Sequence, residues 1–138
     1  MVTLNNPTTY TAFIDRFLVT AEAYSIPAVL LFNKVDTYTP DELAEVKYLA
    51  YMYRDVGYEC IGISAQTGKN IDKVKARLQG KTAMVLGHSG AGKSTLINAL
   101  SPSLQLKTQP LSELHGQGQH TTTFAQMYDL EFDARIID

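Results

Sequence analysis

The chain has a single cysteine, Cys60, among its 138 residues, and no apolar stretch that approaches a membrane span. One thiol excludes an internal disulfide framework and a cysteine-rich zinc site. Within the apolar run CIGIS, Cys60 reads as a small buried hydrophobe. A membrane helix needs about 18 consecutive apolar residues, and the N-terminus has no basic segment leading into an apolar core. Charge of one sign is equally scarce. The formal net charge is −2, which gives no basis for strong non-specific attraction to nucleic acid or anionic lipid, although a longer parent protein could carry basic surface elsewhere. Neither an internal repeat nor a linker is visible. What is there, 45% apolar and 19% charged residues, describes one ordinary globular domain, able to bury about 68% of its unfolded surface.

Apolar runs of strand length alternate with helical patterns, as a mostly parallel sheet flanked by helices requires. VTL at 2–4 is a short strand candidate. A helix follows, capped by Thr9 or Thr11, with Phe13, Phe17, Leu18, Ala21 and Tyr24 as its stripe. AVLLFN at 28–33 reads as a strand covered on both faces. The next helix has Pro40 in its first turn, Gly57 as terminator, and Leu43, Val46, Leu49, Ala50, Tyr53 and Val56 as its apolar face. Its tyrosines fit that half-buried face better than a base-stacking platform. CIGIS is a strand, 70–80 a short helix, TAMVL at 82–86 a buried strand, and KSTLINAL the next helix. Residues 101–123 show no period, and loops of that length are usually functional or mobile. FAQMYDLEF and ARIID close the chain as an antiparallel pair joined near Asp133.

Between the strand at 82–86 and its helix lies GHSGAGKST, which matches the phosphate-loop pattern G-x-x-x-x-G-K-[ST] at Gly87, Gly92, Lys93 and Ser94. Its glycines, Gly90 included, let successive N–H groups converge on phosphate oxygens. Ser89, Ala91 and Thr95 complete the cradle, and the following helix adds its positive end. Lys93 is expected to bridge the β- and γ-phosphates, and Ser94 to place its hydroxyl on Mg²⁺.

Such a loop does not choose a base. No LSGGQ-like signature of an ABC-type ATPase occurs. Asn33, Lys34 and Asp36 fill N-K-x-D at the end of a buried strand. The Asp36 carboxylate can accept from both N1–H and the exocyclic amine of guanine; adenine lacks that donor pair and would leave the carboxylate unpaired. Asn33 can serve the base edge and the loop, while the Lys34 stem can lie along the ring. SAQTG follows the next strand, where Ser64 would brace the loop and the Ala65 N–H would meet guanine O6. Both stretches lie at strand C-termini, where open α/β sheets bind ligands. Guanine is the expected base, and an ATP-using P-loop protein is the weaker alternative.

The base reader precedes the phosphate loop, the reverse of a standard small GTPase. The expected fold class is therefore α/β: a circularly permuted, Ras-like P-loop GTPase domain over 1–138, its mostly parallel sheet covered by helices on both faces. Permutation is tolerated where domain ends lie close together. This order, with SGAGKSTLIN, GQGQHTTT at 116–123 and DRFL at 15–18, resembles the ribosome small-subunit-dependent GTPase A family, RsgA or YjeQ.

The resemblance implies a cytoplasmic GTP hydrolase in late small (30S) subunit maturation, acting as a monomer through that subunit and its rRNA, with no membrane role. It also implies an N-terminal OB-fold domain and a C-terminal zinc domain, neither of which this stretch contains, so zinc is expected only outside it. Thr122 is the candidate to complete the Mg²⁺ shell, with Thr121 and Thr123 as alternatives. His120 is a candidate to orient the attacking water in place of the missing switch glutamine. His88 and His115 read as loop residues. Asp138 resembles the first residue of D-x-x-G, which holds Mg²⁺ through a water. Gly90 stands where some related GTPases carry a potassium-holding Asn, so potassium activation is not indicated. A module that binds GDP or GTP without useful hydrolysis is the alternative reading.

Overall fold

The computed structural model describes residues 1–108 and 125–138. β1 (Val29–Phe32) and β2 (Glu59–Gly62) pair in parallel, with Val29 opposite Glu59 and Phe32 opposite Gly62. A second sheet has the order β3-β5-β4, where β3 (Thr82–Met84) is parallel and β4 (Met127–Leu130) antiparallel to β5 (Ala134–Ile137). The N-terminal segment runs between the two sheets. Val2 bridges Phe32 in parallel, donating to the Leu31 carbonyl and accepting from Asn33 N–H, both at 2.8 Å. On its other side the Met1 nitrogen donates to the Leu86 carbonyl, just past β3. Met1 and Val2 thus link the sheet of β1 and β2 to the end of β3.

Successive strand residues point to opposite faces, and the packing follows that alternation. Leu30, Phe32 and Cys60 enter one core with Ile14 and Leu18 of α1 (Thr11–Ala23) and Val46, Ala50 and Tyr53 of α2 (Pro40–Asp55). Leu31 and Ile61 face the other way. They join Ile71 and Val74 of α3 (Ile71–Leu78) and Leu96, Ile97 and Leu100 of α4 (Lys93–Leu100). Helices therefore cover both faces, as the apolar run at 28–33 requires. Full burial of a side chain such as Leu96 contributes about 1.5–3 kcal/mol.

α2 begins where its sequence signals it. Thr39 Oγ1 accepts from Glu42 N–H at 3.3 Å and Glu42 Oε2 from Thr39 N–H at 2.8 Å, a reciprocal capping box ahead of Pro40. Gly57, at φ +108°, ends it. Tyr53 is buried and its hydroxyl donates to Asp15 of α1 at 2.8 Å, while Tyr48 and Tyr51 are exposed. No helix among the described residues is long and apolar enough to cross a membrane.

Four expectations need correction. The buried stripe of α1 is Ile14 and Leu18, not Phe13, Phe17 and Tyr24; Tyr24 is 75% exposed. One residue of helical phase, about 100°, separates the two faces. Tyr10, not a threonine, precedes α1, and Thr9 Oγ1 accepts from Thr3 N–H instead. Val56 is exposed because it lies past the last residue of α2. TAMVL is not fully buried: Val85 packs into the core, but Met84 and Leu86 are exposed on the opposite face, since α1 and α2 are packed against β1 and β2.

Candidate nucleotide-binding site

The described residues of the phosphate loop and both base-reading stretches surround one cleft of about 610 Å³. Asn33, Lys34, Asp36, Ser64, Ala65, Ser89, Gly90, Gly92, Lys93, Ser94, Thr95 and Asp138 all line it. Residues far apart in sequence meet there because β1, β2, β3 and β5 all end at the same side of the fold. Of the expected phosphate-loop residues, Gly87 and Ala91 do not line the cleft. Ala91 is fully buried beneath the loop, and its N–H donates to the His88 carbonyl at 3.1 Å.

Asn33 organises the cleft. It is 2% exposed, too buried to leave its amide unpaired. Nδ2 donates to the Ala91 carbonyl at 2.8 Å, and Oδ1 accepts from Ala65 N–H at 3.0 Å. One side chain therefore pins the base loop to the phosphate loop. The Ala65 N–H expected at guanine O6 is committed to Asn33 in this arrangement. Gln66 also lines the cleft, although nothing in the base-reading motifs assigns it a role.

Gly92 shows why the loop needs glycine. It has φ +99°, and a Cβ there would come within 2.5 Å of Asn33 Nδ2. Immediately after it, α4 directs its N-terminal N–H groups toward the cleft. Lys93 Nζ donates to the carbonyls of Gly87 at 3.0 Å and His88 at 3.4 Å, which holds the ammonium over the loop. An ammonium carries three donors, so one direction is left for a phosphate oxygen.

On the base side, Ser64 is fully buried and its Oγ accepts from Thr67 N–H at 3.1 Å, so the serine does brace the loop. Lys34 takes the left-handed conformation at φ +68°, and its ammonium donates to the Asn6 carbonyl. Burial lowers its pKa, with the nearby Asp36 charge opposing that shift. Thr37, Lys107 and Thr108 also line the cleft. The last two fall in a stretch whose lack of period hid them. His88 is more than a loop residue: its ring stacks on Phe13 of α1, with centroids 4.0 Å apart. Nothing in the spacing of the two residues signals that contact.

Ser94 and Asp138 bring a hydroxyl and a carboxylate to the same cleft, hard oxygen donors that suit Mg²⁺. No group of three or more His, Cys, Asp or Glu side chains capable of holding a metal occurs among the described residues. Mg²⁺ takes one or two protein ligands plus phosphates and water. His115, His120, Thr121, Thr122 and Thr123 lie outside the described residues.

The RsgA GTPase family model matches residues 1–138. The chain belongs to that family. It is 71% identical over its full length to a small ribosomal subunit biogenesis GTPase RsgA of Christiangramia forsetii, covering 44% of that protein. It is 59% identical to the protein of the same name from Flavobacterium johnsoniae, covering 42% of it. Among solved structures, YjeQ from Thermotoga maritima superposes with a TM-score of 0.81 at 37% identity, over 99% of this chain and 44% of that one. YloQ, described as a circularly permuted GTPase, superposes with a TM-score of 0.70 at 26% identity, over 99% of this chain and 41% of that one. The family chain thus has the permuted GTPase fold, and it spans less than half the length of the curated relatives it matches.

Proposed function

We propose that this chain is the nucleotide-binding core of a GTP hydrolase that serves assembly of the small ribosomal subunit. The observation that carries the reading is Asn33, which ties Ala65 to Ala91 and so places Asp36 and Lys93 in one cleft. Asp36 accepts from the two donors on the guanine edge, and an adenine there would leave a carboxylate without partners. The loop from Ser89 to Thr95 receives the phosphates through backbone N–H groups and the Lys93 ammonium. Ser94 and Asp138 would hold Mg²⁺, with Thr122 completing the set; the ion supplies charge neutralisation on the β- and γ-phosphates. Hydrolysis forms a bond from a water oxygen to the γ-phosphorus and breaks the bond to the β–γ bridging oxygen, releasing GDP and phosphate. His120 is proposed to orient that water. The protein's share is positioning and electrostatics, without a covalent intermediate.

The partners proposed are the small subunit and its rRNA, because the relatives are named for biogenesis of that subunit, and the setting proposed is the cytoplasm. Equilibrium binding of GDP against ADP with Mg²⁺ tests the site. A strong preference for GDP supports the reading, and equal binding removes Asp36 from the base site. Single-turnover GTP hydrolysis with and without small subunits then tests the activity. An unchanged rate would leave only a nucleotide-binding module.

A further inference from the structure

A second cleft, of about 620 Å³, lies along the outer edge of β2, between α2 and α3. Five of the chain's twelve lysines and arginines line it, against one carboxylate, although the whole chain is net negative. Lys47 and Arg54, seven residues apart on one face of α2, form one wall. Lys69, Lys73 and Arg77 line the other. Lys73 and Arg77, four apart on α3, are neighbours about 5–6 Å apart, and Lys69 lies two residues before that helix. Arg77 Nε pairs with the one carboxylate, Glu59, at 2.8 Å. Lys47, Lys69 and Lys73 are exposed and have no carboxylate within ion-pair distance among the described residues.

A sheet edge can also invite an extra strand, but this one is capped. Arg54 donates to the Cys60 carbonyl at 2.7 Å and Asn70 Nδ2 to the Gly62 carbonyl at 2.7 Å, which occupies the outward acceptors of β2. Two facing rows of cations around an apolar floor suit a ligand that carries repeated negative charge and passes between the rows. Lysine stems can lie along such a floor while their heads reach outward. The geometry points to an RNA phosphate backbone as the occupant, with Lys47, Lys69 and Lys73 as its phosphate-binding side chains. This rests on the ribosomal reading above and adds the surface through which this domain would touch RNA. The groove adjoins the nucleotide site, because Ser64 N–H donates to the Lys69 carbonyl at 3.1 Å.

The test is binding of the full chain to an RNA duplex of about 20 base pairs across a salt series. Lys47→Ala/Lys69→Ala/Lys73→Ala removes all three ammonium groups. It should weaken binding about tenfold or more, and reduce the slope of log K against log salt by roughly 0.9 for each phosphate no longer neutralised. Arg16→Ala/Lys81→Ala/Arg135→Ala removes the same charge from outside the groove and should change affinity less than about twofold. Equal losses in the two variants would mean general electrostatics and overturn the groove. No loss in the first would also overturn it, and would turn attention to an acidic protein surface as the occupant. GDP affinity should be unchanged in both variants. Because GDP preference is read separately, failure of the groove is distinguishable from failure of the GTPase reading.

Discussion

Asn33 and Ala91 lie 58 positions apart, yet the Asn33 side-chain amide donates to the Ala91 carbonyl at 2.8 Å in the buried seam between base loop and phosphate loop. This hydrogen bond, with its counterpart at Ala65, makes one site of two. Asn33→Ala leaves the Ala91 carbonyl and Ala65 N–H buried without partners, at about 1–3 kcal/mol each. The expected outcome is a urea midpoint lowered to match, together with weaker binding of GDP and ADP alike. Stability loss with unchanged nucleotide affinity would show that the seam does not shape the cleft.

Two glycines separate conformational strain from collision. Gly92 and Gly80 both have positive φ, but only at Gly92 would a Cβ meet another group, Asn33 Nδ2 at 2.5 Å. Gly80→Ala should cost about 1–2 kcal/mol and leave GDP affinity intact. Gly92→Ala should abolish nucleotide binding as well, because Asn33 has no room to yield. Calorimetric titration of both variants checks the contrast.

Asp36, which lines the cleft, is the residue proposed to carry the base preference. Asp36→Asn replaces a two-fold acceptor with one acceptor and one donor, which suits xanthine better than guanine. GDP should bind roughly 10–100-fold more weakly, the equivalent of about 1–3 kcal/mol, while xanthosine diphosphate gains. Competition binding with the two diphosphates measures this, and an unaltered order of preference would refute it.

Cys60 should be chemically quiet. Burial is the main cause of its raised pKa; Arg54 opposes the shift and Glu59 adds to it. At pH 8 the folded thiol should alkylate far more slowly with iodoacetamide than the thiol of the urea-unfolded chain. The same shift has a stability consequence. The unfolded thiol loses its proton near 9.0 while the folded one still holds it. Its contribution is therefore fully present below pH 9 and is lost as pH rises through the folded value. A pH series of denaturation midpoints, run beside Cys60→Ala, isolates that contribution.

Much of this architecture is legible in order and pattern. The glycine loop between strand and helix, N-K-x-D after an apolar run and SAQTG after the next are local signals, carried by residues whose backbone and side-chain roles are set within a few positions. The capping box at Thr39 and Glu42 and the stop at Gly57 are equally local. Pattern is a poorer guide wherever the answer depends on which face another element covers. Phe13 fits a helical stripe as well as Ile14 does, and only the packing of α1 against β1 and α2 selects Ile14. Met84 belongs to an apolar run, but no helix of the first core extends over it.

By itself, the sequence determined the permuted GTPase fold and supplied the phosphate-loop and N-K-x-D motifs on which the proposed site rests, because each is short-range chemistry in a fixed order. Only the tertiary structure decided that Asn33 spends its amide on Ala91 and Ala65, that His88 stacks on Phe13, and that five cations of a net-negative chain gather in one groove. Those are interactions between segments brought together by the sheet. Their energies depend on burial and approach, and residue spacing along the chain encodes neither.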